Sequence, residues 1–249
     1  MRWSSLAIVS LSLLLPASDQ GICQAEQAAD RLKQQEENFL QLQSHLANQL
    51  GNQEDSEALY RRLVAHHQAT IDDPSASVDQ RKEASKQLIR LHLANSKLDE
   101  AAAEAFRLQT RHPDDRAVLG LVADVYYHEA RALLEQGNQD AAIEKYRSVL
   151  SLNGLLPEVY AFTNFALAQL SLQKGETDLG LSYYRQVIEM GGDRGEWSAA
   201  AHFGLGQHYL KHHYPVEATQ EFEHIVANQA TTSWVKLAVT QLQALRSRQ

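Results

Sequence analysis

Histidines are the residues of this sequence whose types and spacing come closest to a chemical site. Five lie in one short stretch near the C-terminus: His202, His208, His212, His213 and His224. His208 and His212 are four residues apart, which would place two imidazoles on one face of a helix. Zinc needs three or four ligands at about 2.0–2.3 Å, and a metalloprotease needs a glutamate directly after the first histidine. Tyr209 occupies that place, so we expect no metal site, with histidine-based metal binding as the alternative function.

Other catalytic patterns are absent from the sequence. No glycine-rich phosphate loop and no nucleophile elbow occurs, and the only cysteine is Cys23. The 249 residues carry a net charge of −8 without a basic stripe, which argues against nucleic acid as a partner. These features predict a protein that is not an enzyme and needs no cofactor.

The N-terminus has the pattern of a secretory signal peptide. Arg2 precedes an apolar run from Leu6 to Leu15, which is shorter than the roughly 20 residues that span a bilayer. We expect residues 1–25 to be cleaved, and the mature chain to be periplasmic or secreted without stable membrane insertion. Lipid anchoring through Cys23 is one alternative, and a buried N-terminal helix is another.

A sequence pattern recurs through the rest of the chain. A helical segment leads to a breaker, then to a small residue, and then to an aromatic residue four positions later. The small and aromatic residues of the five copies are Ser56 and Tyr60, Ala102 and Phe106, Ala142 and Tyr146, Gly180 and Tyr184, and Ala218 and Phe222. The last four copies are 40, 38 and 38 residues apart. Small residues also recur in the preceding helix, at Ala130, Ala168 and Gly206, where two helices would meet.

This order of residues resembles the tetratricopeptide repeat over residues 37–230. The resemblance implies an all-α fold, a right-handed superhelix of about five helix-turn-helix repeats. Residues 26–36 would form an N-terminal helical extension, and residues 231–249 a C-terminal capping helix that covers the last repeat.

In this family, ligands contact the first helix of each repeat along a concave groove. Mapped onto this chain, the groove residues are Tyr127, Arg131, Phe162, Phe165, Gln169, Phe203, Gln207 and Lys211. We expect at least two of the four aromatic side chains to be exposed there, so that replacing Phe162 and Phe165 with alanine would weaken binding without loss of stability. The alternative is that loops or the capping helix bury them.

The functional expectation is therefore a non-enzymatic scaffold or adaptor in the periplasm or cell envelope. Its partner would be another protein, bound as a peptide or a helix in the groove. Self-association through stacked repeats is the second alternative, beside metal binding.

Overall fold

A computed structural model describes residues 56–191, 195–228 and 233–247 of the chain. These residues form ten α-helices, and no strand occurs among them. The predicted signal peptide, Cys23, the N-terminal extension and the first helix of the first repeat lie outside the described residues. The chain divides into two compact units, one ending at Leu155 and one beginning at Leu156.

The first unit contains five described helices. They are α1 (Ser56–Asp72), α2 (Val78–Ala94), α3 (Leu98–Arg111), α4 (Arg116–Glu135) and α5 (Gln139–Leu150). Each helix packs against the next, and α2 also contacts α4. The core of this unit is aliphatic, with Leu88, Leu108 and Val118 fully buried. Contacts between neighbours and next-neighbours are the pattern of a repeat array.

The second unit repeats the arrangement. Its helices are α6 (Pro157–Gln173), α7 (Thr177–Gly191), α8 (Glu196–Lys211), α9 (Pro215–Asn228) and α10 (Ser233–Arg246). Consecutive helices pack together, α6 contacts α8, and α8 contacts α10. Helix α10 lies within the segment predicted to cap the array, and it buries Trp234, Ala238 and Leu242. The helical-repeat fold class expected from the sequence is therefore confirmed.

Four helical hairpins turn in the same way. The turn residue has a positive φ in each: Ser96 (55°), Gly137 (77°), Gly175 (81°) and His213 (64°). The N–H of the following residue donates to the carbonyl five residues back, at 2.8–2.9 Å in all four turns. This is the 6→1 hydrogen bond of a Schellman motif, which satisfies a carbonyl at the helix end. A residue with left-handed backbone therefore fixes the register of each hairpin.

The turn register places a small residue five positions later, at the closest approach of two helices. That residue is buried in all four hairpins: Ala101, Ala142, Gly180 and Ala218. A Cβ on Gly180 would lie 2.6 Å from Leu172 Cγ. The preceding helices present Ala130, Ala168 and Gly206 in the same way, all buried, as expected from the sequence.

The second copy of the repeat corrects the sequence alignment by one residue. We predicted Ala102 and Phe106 as its small and aromatic core positions. The structure instead buries Ala101 and Ala105, whereas Phe106 is 70% exposed. The register follows from Ser96, because Gly137 lies 41 residues after it rather than 40. Alanine thus occupies the place that an aromatic ring fills in the other hairpins.

Candidate partner-binding surfaces

The four aromatic residues predicted for the groove are buried. Tyr127, Phe162, Phe165 and Phe203 are 4%, 2%, 3% and 7% exposed. The expectation that at least two of them are exposed is therefore wrong. Burial of this extent favours the alternative, in which these rings hold helices together.

The neighbours of each ring show what it packs against. In the first unit, Tyr127 of α4 lies 5.7 Å from the ring of Tyr146 on α5. In the second unit, the Phe165 ring lies 5.4 Å from Tyr184 and 5.8 Å from Trp197, measured between centroids. Each contact joins neighbouring helices of one unit, at separations typical of favourable aromatic pairs.

The other two phenylalanines make equivalent contacts. Phe162 lies 5.5 Å from the Trp197 ring. Phe203 lies 5.4 Å from Phe222 on α9 and 5.5 Å from Trp234 on α10. The last contact means that α10 covers Phe203, as the alternative in the sequence analysis proposed for the capping helix.

Helix α6 carried a sequence signal that would have predicted this burial. Its residues are apolar on nearly all sides, and eleven of its seventeen residues are buried. A helix without a continuous polar face belongs in the middle of a packed layer rather than along a groove. Phe162 and Phe165 are therefore core residues by the composition of their own helix.

The four polar residues predicted for the groove have different environments. Arg131 is exposed, and its Nε donates to Glu135 Oε1 at 3.1 Å within α4. Gln169 is half-buried and forms a hydrogen bond with the Tyr184 hydroxyl. Burial raises the pKa of that hydroxyl. Gln207 is half-buried and Lys211 is exposed on α8. Because Gln169 is engaged by the buried Tyr184, Arg131 in the first unit and Gln207 with Lys211 in the second remain as the accessible members of the predicted set.

Asp124 is a partly buried carboxylate on the same helix as Tyr127 and Arg131. It lies one turn before His128 on α4, and part of it reaches the surface. Burial raises the pKa of Asp124 to about 7, and the charge of Arg90 on α2 opposes this shift. Burial likewise lowers the pKa of His128, with Arg131 contributing. The sequence does not predict this pKa, because it comes from packing.

We expect Asp124→Asn to change the pH dependence of stability. The pKa of Asp124 is raised on folding, so its contribution to stability is full below pH 3.8 and is lost as the pH rises through about 7. Asparagine cannot ionise. The unfolding free energy of the variant minus that of wild type should therefore increase by about 1–3 kcal/mol from pH 5 to pH 8. This range is reduced to allow for partial solvent screening. Urea unfolding at the two pH values measures this, and an equal difference at both would contradict it.

The histidines form contacts of their own. Nδ1 of the buried His202 lies 2.6 Å from Glu221 Oε2, and its ring stacks on His224 with 4.0 Å between centroids. The rings of His208, in the last turn of α8, and His212, the residue directly after α8, lie 4.4 Å apart between centroids. Burial lowers the pKa of His208, and His212 and Lys211 contribute. In the described part of the chain, no three histidine, cysteine or acidic side chains are grouped so that they could hold a metal ion.

None of the helices between residues 56 and 247 that the structure describes is both long enough and apolar enough to cross a bilayer.

The comparison with family models agrees with the repeat pattern over part of the chain. The family model for the tetratricopeptide repeat matches residues 123–154, which contain most of α4 and all of α5. Among solved structures, the TPR domain of P58(IPK) matches with 14% identity, 99% coverage of this chain, 79% coverage of that chain and a TM-score of 0.38. A search of curated proteins finds no match. Residues 123–154 therefore match the tetratricopeptide repeat, and the same hairpin recurs among the described residues of both units.

Proposed function

We propose that this chain is a non-enzymatic scaffold that binds another protein. The observation that carries the proposal is the recurrence of one hairpin, with the same left-handed turn and the same buried small residue, in both units. The family match at residues 123–154 supports it, since proteins built from such repeats commonly serve in protein–protein interaction. Stacked hairpins of this kind present extended surfaces for binding.

The accessible polar residues of the first helices are the binding surfaces that we propose. Arg131 on α4 forms one surface, and Gln207 with Lys211 on α8 forms the other. Because the aromatic side chains nearby are used for packing, the partner would be recognised through charge and amide hydrogen bonds. Arg131 and Lys211 are cations, so we expect the partner to place acidic side chains against them locally.

We expect charge reversal on these surfaces to weaken binding without unfolding the chain. The change is Arg131→Glu with Lys211→Glu, and Lys236→Glu on α10 is the matched control, because Lys236 is also exposed. Capture of partners from an extract of the source cells, followed by mass spectrometry, should show a protein held by wild type and by the control. Binding to the double variant should fall by about tenfold or more.

Two other results would count against these surfaces. Equal capture by the wild type and the double variant, with unchanged helicity, would place the interface elsewhere. Capture of only this chain itself would favour the self-association alternative, and sedimentation would then show a concentration-dependent mass.

We also propose that the chain is exported to the periplasm or cell envelope. The sequence pattern of residues 1–25 supports this. Cell fractionation with N-terminal sequencing is the test, and a mature chain that begins at Glu26 is the expected result. A cytoplasmic chain that keeps residues 1–25 would contradict export, and a lipid-modified N-terminus at Cys23 would favour the anchored alternative.

A further inference from the structure

A cavity of about 450 Å³ lies in the first unit and is lined by none of the candidate binding residues. Helix α2 contributes one face to it, since Val78, Arg81, Lys82 and Ser85 are spaced three or four residues apart. The last turn of α1 and the end of α3 complete the lining. This volume is within the range of cavities that bind small molecules.

The inner part of the cavity combines apolar side chains with one hydroxyl. Ile71 and Leu108 are buried, and Val78 brings an exposed methyl surface to the same cavity. The Ser85 side chain is fully buried, and its Oγ has no hydrogen-bond partner in the described part of the chain. A buried hydroxyl without a partner costs about 1–3 kcal/mol, and a ligand atom that bonds to it would remove that cost.

Two of the three cations around the cavity are already engaged. Arg81 Nη1 donates to the carbonyls of Asp73 at 3.2 Å and Ala76 at 2.6 Å. Lys82 Nζ lies 3.2 Å from Asp115 Oδ2 and 3.6 Å from Asp79 Oδ1.

The third cation has a different position. Arg111 is exposed in the last turn of α3, and no ion pair to it occurs among the described residues. The one carboxylate that lines the cavity, Asp72, accepts a hydrogen bond from Gln68 at 3.0 Å. Arg111 is therefore the charged donor that remains for a ligand.

We propose that this cavity binds a carboxylate carried on a short aliphatic chain. The carboxylate would accept hydrogen bonds from the Arg111 guanidinium and the Ser85 hydroxyl, because charge-assisted hydrogen bonds to a carboxylate are stronger than those between neutral groups. The aliphatic chain would pack against Ile71, Val78 and Leu108. This site does not rest on the proposed scaffold function, since it uses other residues.

The test uses 4-methylpentanoate as the probe, titrated into the full chain and followed by NMR chemical shifts. We expect saturable binding of the acid and binding at least about tenfold weaker for 4-methylpentanamide, which has the same shape without the charge. Inorganic phosphate should not compete, because it lacks the aliphatic part.

Variants locate the site. Arg111→Gln should weaken binding of the acid by about tenfold or more, whereas Arg116→Gln, at an exposed arginine outside the cavity, should change it less than about twofold. Ser85→Ala should also weaken binding while raising the unfolding midpoint of the free chain, since it removes the cost of the unpartnered hydroxyl.

Three results would overturn the proposal. They are no saturation by about 10 mM probe, equal affinity for the acid and the amide, or equal losses in Arg111→Gln and Arg116→Gln. The last result would show that only the general charge of the surface attracts the acid.

Discussion

Phe165→Ala is expected to lower the free energy of unfolding by about 3–5 kcal/mol, the usual cost of removing a buried phenylalanine ring. Phe165 is 3% exposed and touches the rings of both Tyr184 and Trp197, so its loss would leave a cavity between α6, α7 and α8. Denaturant unfolding followed by circular dichroism measures the change. This result is the opposite of what a groove residue would give.

The same substitution at Phe106 is the matched control. Phe106 is 70% exposed on α3, so Phe106→Ala should change the free energy of unfolding by no more than about 0.5 kcal/mol. A stable Phe165→Ala variant would show that the ring is not part of the core. A strongly destabilised Phe106→Ala variant would restore the repeat alignment that placed Phe106 inside.

Gly206→Leu is expected to destabilise the second unit by about 3 kcal/mol, at the upper end of overpacking effects. A Cβ at this position alone would lie 2.6 Å from Phe222 Cε1, and Phe222 is fully buried. Either α8 or the ring must move to admit a leucine. The thermal unfolding midpoint of the variant, compared with that of wild type, measures the effect.

A second substitution tests the cause. Phe222→Leu removes part of the ring that the new side chain meets, so the double variant should be more stable than the sum of the two single effects predicts. Simple additivity would contradict the contact, since the two residues would then act independently. Gly204→Leu offers a comparison, because a Cβ there would meet Tyr184 rather than Phe222.

The helical-repeat architecture could be predicted from the sequence because certain positions of the repeat accept only small residues or glycine. Gly137 and Gly175 take the left-handed turn, and Gly180 and Gly206 lie where no side chain fits. Such positions leave a clear pattern of residue types. The all-α repeat fold could therefore be predicted from the sequence.

The second repeat shows where that pattern loses precision. The run from Ala101 to Ala105 contains four alanines, so small residues are available at several registers. Phe106 then appeared to supply the aromatic, and the alignment moved by one residue. The turn decides the register, but serine and histidine rarely adopt a left-handed backbone, so Ser96 and His213 were not recognisable as turn residues.

The candidate site was the least predictable part of the molecule. Position within a repeat indicates which helix face a residue is on, but not how deeply the neighbouring helices cover it. Trp197 and Trp234 cover Phe162 and Phe203, and neither tryptophan belongs to the repeat pattern. The pKa of Asp124 and the unpartnered hydroxyl of Ser85 likewise arise from packing, which a list of residue types does not contain.

The surface that contacts a partner can be determined most directly by photo-crosslinking. A photoreactive amino acid would replace Arg131, Lys211 or Lys236 in turn, and the chain would be irradiated in its source cells. We predict crosslinks to another protein from positions 131 and 211 and none from position 236. Crosslinks from position 236 alone, with none from the other two, would contradict the proposed binding surfaces.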